Sequence, residues 1–176
     1  MAVTVTCVCV PPAYSETHVT RLFNLAREHL CGFVFQPLWE SPWPGWWSKI
    51  SLFEPGRFNG RTLYLDLDTT PCGPLADLAE MEYDFIAARD WLTLGINSSV
   101  MAWTPSERTE RIYTEFVADP DGIMSRHHGD QTYIHAMMPD AQVFPRRWVR
   151  SYKADKPHAD QRVTVFHGEP KPWDVE

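Results

Sequence analysis

The 176-residue chain has no apolar run approaching the roughly 18 residues of a membrane-spanning helix, which argues against a span. Its start, MAVTVTCVCVPP, lacks the charged region and cleavage site of a signal peptide and reads as an opening strand. Basic charge is also short: 16 Lys and Arg face 23 Asp and Glu, a formal charge of −7. That excludes a uniformly basic nucleic-acid coat but leaves room for a local basic patch. Cysteine is scarce, and Cys7, Cys9, Cys31 and Cys72 match no zinc-knuckle spacing. They are expected to be buried free thiols in a reducing, intracellular compartment. Internal repeats and low-complexity segments are absent, so a repeat array is excluded. What is plentiful is aromatic and proline content: 8 Trp, 6 Tyr, 9 Phe and 15 Pro. The length suits one good core, and a single domain over 1–176 is expected.

Strand and helix signals alternate. AVTVTCVCV is β-rich, and YSETHVTRLFNLAREHL follows with Ser15 as N-cap and Val19, Leu22, Phe23 and Leu30 at helical spacing. GFVFQPL is a second strand, and GWWSKISLF a short helix behind a Trp/Pro-rich connector. RTLYLDLD, DFIAARD and GINSSVMAW are further strands, the first apolar on both faces as a buried parallel strand is. TPSERTERIYTEFVADP is a helix capped near Thr104 or Ser106, with Pro120 beyond its end. GDQTYIHAMM is another helix, and AQVFP, WVRSY and RVTVFHG are short strands. The early β-α-β-α-β order predicts an α/β fold with ligands at the carboxyl ends of its strands.

The candidate chemistry begins at LYLDLDTTP. If the run is a strand, Asp66 and Asp68 share one face at its end. Like charges so close need a cation, a proton or a hydrogen-bond network, and hard carboxylate oxygens suit Mg²⁺ or Mn²⁺. A solvated strand end satisfies the same letters. At the other end of the chain, VTVFHGEPKPWDV delivers His167, a borderline ligand for Mn²⁺, then Gly168, which leaves room for close approach, and Lys171, a point charge for phosphate. A surface histidine before a stiff tail is the plainer alternative.

Together, LYLDLDTTPCGPLADL, GINSSVMAW, GDQTYIH and FHGEPKPW resemble, in order and at compatible spacing, the blocks of glycosyltransferase family 8, the glycogenin and lipopolysaccharide galactosyltransferase type. The similarity runs from about Val3 to Val175 and is strongest to compact stand-alone members from bacteria and phages. It implies a GT-A, Rossmann-like fold, a mixed but mainly parallel sheet flanked by helices. It implies transfer of a sugar from a nucleoside diphosphate sugar, a UDP-sugar first, with retention and with Mn²⁺ or Mg²⁺ held by Asp66, Asp68 and His167. Lys171 and Lys49 would bind the donor, the His-to-Lys spacing being shorter than is usual in the family. Asp130 would bind donor-sugar hydroxyls and Gln131 would lie near the reacting carbon, although an acid opening a helix also favours its dipole. Asn97 and Ser98 would sit beside the donor sugar, or satisfy a strand edge. Arg89 and Asp90 are candidates for lining the pocket, whereas His127 and His128 read as exposed loop residues, and Trp46 and Trp47 as core or lid. The first strand departs from the family by ending CVCVPPAYS, which leaves Tyr14 as the residue to meet the base.

Two rivals use the same residues. Asp66, Asp68 and Thr70 match a phosphatase Asp-x-Asp-x-Thr loop, but in mid-chain and without its later acidic pair. A sugar-nucleotide-binding module with a decayed site is the other, although all three metal-ligand candidates are present. For the acceptor, FPRRWVRSYKADK interleaves Arg146, Arg147, Arg150, Lys153 and Lys156 with Phe144, Trp148 and Tyr152, a pattern that can grip a nucleic-acid strand or form a solvated edge. Phage enzymes resembling this chain include transferases that act on hydroxymethylated pyrimidines in DNA. Such DNA is therefore an expected acceptor, with a glycan or lipopolysaccharide as the alternative, in a bacterial or phage-infected host cytoplasm.

Overall fold

A computed structural model describes residues 2–175, so residues 1 and 176 of the expected domain lie outside the described residues. In chain order its elements are β1 (Thr4–Thr6), α1 (Glu16–His29), β2 (Val34–Phe35), a 3₁₀ helix (Gly45–Phe53), β3 (Thr62–Leu65), β4 (Thr69–Pro71), α2 (Ala76–Ala79), β5 (Phe85–Arg89) and β6 (Ile96–Trp103). There follow α3 (Glu107–Ala118), α4 (Pro120–Arg126), α5 (Asp130–Met137), β7 (Gln142–Val143), β8 (Val149–Ser151), β9 (Val163–Val165) and a 3₁₀ turn (Pro172–Asp174). Six strands form a mixed sheet in the order β2-β1-β3-β6-β5-β7, with β1 parallel to both β2 and β3, and β7 parallel to β5. β6 runs antiparallel between β3 and β5. A small sheet, β4-β9-β8, joins the segment after β3 to the C-terminal strands.

Period-two alternation explains how apolar strands build two cores at once. Leu63 and Leu65, Ile86 and Ala88, and Val100 and Ala102 face one side, where α1 packs through Val19, Leu22 and Ala26. Tyr64, Phe85, Ala87, Met101 and Trp103 face the other, against Trp47, Ile50 and Phe53 of the 3₁₀ helix and Ile112 and Phe116 of α3. Trp103 is 1 % exposed and packs on Phe53 and Phe58 at ring distances of 4.9 and 5.9 Å. Trp103→Ala is expected to cost about 3–5 kcal/mol, read as the loss of midpoint in a denaturant titration.

Three expectations change. Asp66 and Asp68 are not on a strand: β3 ends at Leu65, and the N–H and Oγ1 of Thr69 both donate to the Asp66 carbonyl (3.1 and 2.7 Å), reversing the chain into β4. Pro120 does not simply follow a helix but opens α4, where its missing N–H costs nothing and Asp119 caps the turn. Cys7 and Cys9 are buried free thiols as expected, whereas Cys31 and Cys72 are free but exposed, lying in connections outside the main sheet.

Candidate active site

The turn after β3 carries the acids into a cleft at the carboxyl ends of β1 and β3. Lys49, projected by the 3₁₀ helix, places Nζ 3.0 Å from Asp66 Oδ2, 3.6 Å from Asp130 Oδ2 and 3.2 Å from Ser98 Oγ. Burial works against its charge, but Asp130 and then Asp66 outweigh it and raise its pKa above the usual 10.5. Asp130 is the first residue of α5, buried there, and accepts from Ser98 Oγ at 2.7 Å. Ser98 reaches it because the β5–β6 register slips: Ala87 pairs with Met101 but Ala88 with Asn97, so residues 98–100 leave β5. Beside it, the Ser98 N–H donates to Gln131 Oε1 (3.4 Å), and Gln131 Nε2 donates to Asp90 Oδ2 (3.2 Å). Asn97 points its Oδ1 at the N–H of Ser99 (2.9 Å), the strand-edge role that was its alternative.

The second acid has its own partners. Asp68 Oδ2 accepts from Lys171 Nζ at 2.6 Å. Burial and the nearby Asp66 charge push the Asp68 carboxyl above its ordinary range, against the pull of Lys171. Tyr14 is kept protonated by burial, by the charges of Asp68 and Asp66 and by a hydrogen bond to Asp68. On Asp66 the corresponding phenol is Tyr64, whose hydroxyl donates to Oδ1.

His167 has partners of its own. Its Nε2 lies 2.7 Å from Ser151 Oγ, and its ring stacks on Trp91 at 5.4 Å. Ser151 Oγ already accepts the N–H groups of Lys153 and Ala154, so its own hydrogen points to Nε2. Burial, then Lys153, lowers the His167 pKa below 6.5, so the ring is neutral at pH 7. Gly168 has φ +73°, a conformation that itself calls for glycine, and a Cβ there would meet Lys153 Nζ at 3.2 Å.

Two cavities of about 360 Å³ each flank this network. One lies between Val8–Tyr14 and Gly45–Lys49, with Asp66 and Asp68 lining it and the exposed Trp46 at its edge. The other is lined by Asp90, Trp91, Leu92, Asn97, Gln131, His128, His135 and His167. Asp90 thus lines a pocket, while Arg89 is exposed beside it; Trp47 is core, and His127 is half-buried edge-on to Tyr133. Sequence reasoning missed Ser151 and Trp91; His128 is exposed, as expected, and also lines the second cavity. Trp91 is fixed by its Nε1–H bond to Asp155 Oδ2 (2.7 Å), a pairing across 64 residues with no local signal.

Among the described residues, no three carboxylate, imidazole or thiol groups are gathered to hold a metal ion. Asp66 and Asp68 nevertheless fit a hard divalent cation by donor chemistry. Three carboxylates (Asp66, Asp68, Asp130) face two ammonium groups (Lys49, Lys171), which leaves one negative charge without a cation. His167 is a neutral imidazole but is engaged with Ser151.

The sequence matches no protein-family model and no curated protein. Its structure matches that of the glycosyltransferase GlyE of Streptococcus pneumoniae TIGR4 with a TM-score of 0.71 at 17 % identity, over 98 % of this chain. The fold is that of the GT-A glycosyltransferases. Within that fold the chain spans 57 % of GlyE. It spans 95 % of a glycosyltransferase involved in glycosylating the major capsid of PBCV-1 (TM-score 0.67, 14 % identity) and 89 % of the galactosyltransferase LgtC, solved with donor and acceptor sugar analogues (TM-score 0.66, 11 % identity). No helix among the described residues is long and apolar enough to cross a membrane.

Proposed function

We propose that the chain transfers a sugar from a nucleoside diphosphate sugar, a UDP-sugar first, to an acceptor hydroxyl. The observation that carries this reading is the Lys49–Asp66–Asp130–Ser98 network set between two cavities, with Lys171 on Asp68 at the edge of one of them. Tyr14 and Trp46 border the first cavity and offer ring faces to a base. Lys49 and Lys171 supply the positive charge that receives the diphosphate. Asp130, Ser98 and Asn97 present acceptors and a donor to sugar hydroxyls, and Gln131, fixed by Asp90, orients the reacting end of the sugar.

Asp66 and Asp68, with His167 once it leaves Ser151, are the residues we assign to Mn²⁺ or Mg²⁺. When bound, such an ion stabilises negative charge on the departing diphosphate. In the reaction the bond from the anomeric carbon to the phosphate oxygen breaks and the acceptor oxygen bonds that carbon on the same face. The leaving phosphate takes the acceptor's proton, so configuration is retained and no strong protein base is required. The chain's own contribution is positioning and electrostatics.

For the acceptor we propose a hydroxymethylated pyrimidine in DNA. Segment 144–156 is tied to the second cavity by the bond of Ser151 to His167, which lines it, and the exposed Lys153 and Lys156 of that segment are the cations to meet phosphates. A glycan or lipopolysaccharide sugar is favoured by a different observation: Arg146 and Arg150 share Asp155 (3.0 and 3.9 Å) and Arg147 pairs with Asp160 (3.5 Å), which offsets two of these three positive charges. Salt separates the two. Transfer to DNA is expected to fall steeply as salt is raised, whereas salt-insensitive transfer to small glycosides alone would exclude DNA. Failure to release nucleoside diphosphate from any donor sugar, with Mn²⁺ present, would overturn the transferase reading itself.

A further inference from the structure

The two acids are countered in parallel, each by one ammonium and one phenol, but the two ammonium groups are held very differently. Lys49 is tied to Asp66, Asp130 and Ser98 together, so moving it would strand three partners. Lys171 has Asp68 as its one side-chain partner among the described residues. It sits at the start of the last 3₁₀ turn, its backbone N–H anchored on Asp174 Oδ2 (2.7 Å), while its side chain reaches back 103 residues in sequence to the edge of the first cavity. The pair is largely buried, with the side chains 21 % and 11 % exposed. Asp68 Oδ2 cannot hold this bond and at the same time give that lone pair to a cation.

Resting on the donor-binding reading above, we infer that Lys171 is a stand-in for the cation at Asp68, released only when a diphosphate is present to receive its ammonium. A divalent cation that ligates Oδ2 must displace Lys171 without bringing it a new anion in exchange. A diphosphate alone must enter a cleft whose cationic charge is already committed to carboxylates. Each therefore makes room for the other, and by linkage the enhancement is the same in both directions.

The test is Mn²⁺ binding to the full chain at pH 8, by electron paramagnetic resonance of free Mn²⁺ and by calorimetry, with and without UDP. In the wild type, UDP is expected to tighten Mn²⁺ strongly. In Lys171→Met, Mn²⁺ alone is expected to bind about tenfold tighter, because no charge-assisted hydrogen bond has to be broken, and the enhancement by UDP should shrink by at least that factor. Lys171→Arg, whose fork grips a carboxylate more firmly, should bind Mn²⁺ alone more weakly than wild type, and it carries the test if the Met variant does not fold. Mn²⁺ affinity that is unchanged or weaker in Lys171→Met, or unchanged or tighter in Lys171→Arg, overturns the inference while leaving UDP binding and the donor reading in place. No Mn²⁺ and no UDP bound by any of the three proteins overturns both.

Discussion

Asp68→Ala is expected to lower sugar transfer by about a thousandfold, the scale of losing a principal electrostatic stabiliser of a leaving group. The same substitution should leave the melting temperature equal or higher. Asp68 is buried beside Asp66, and both burial and that neighbour oppose its charge. Removing it relieves that repulsion, which offsets the loss of the Lys171 bond, and Tyr14 lines the cleft. Loss of activity without loss of stability is what separates a functional acid from a structural one. The check pairs rates at saturating Mn²⁺ with thermal melts. Full metal-dependent activity in the variant would remove Asp68 from the site.

Lys49→Met should act on both stability and activity. Its ammonium is the shared counter-charge of Asp66 and Asp130, and removing it leaves two largely buried carboxylates facing each other without a cation. A cost of about 3 kcal/mol is expected at pH 8. A denaturant titration at pH 8 against wild type checks this, and an unchanged midpoint would mean that the two carboxylates do not need the ammonium group in the folded form. Transfer should fall by about a hundredfold or more even where the variant is folded.

Much of the frame is legible in the sequence because its signals are local. Alternation within LYL and VMAW assigns each residue to one of two cores, and the predicted helix with Ser15 as its N-cap has the observed start. Asp66, Lys49, Ser98 and Asp130, singled out separately, are brought within hydrogen-bond or ion-pair distance. The placement of the acids on a strand failed because the turn is closed by Thr69, whose N–H and hydroxyl bond backward to Asp66, and an apolar run carries no sign of that reversal. His167 was legible as a residue but its surroundings were not. Ser151 and Trp91 reach it from β8 and from the loop after β5, contacts that depend on how two sheets are set against each other. The arginines of segment 144–156 read as a fully free basic stripe only until Asp155 and Asp160, which pair with them, are taken into account.

The central claim is tested most directly by the mass of the acceptor. The full chain is incubated with Mn²⁺, a panel of nucleotide sugars, and hydroxymethylcytosine DNA or simple glycosides, and the acceptors are analysed by mass spectrometry with and without a chelator. The account predicts a gain of one hexose on one acceptor class, abolished by chelation. Donors bound but left intact, with every acceptor unchanged in mass, would contradict it and make the chain a binding module.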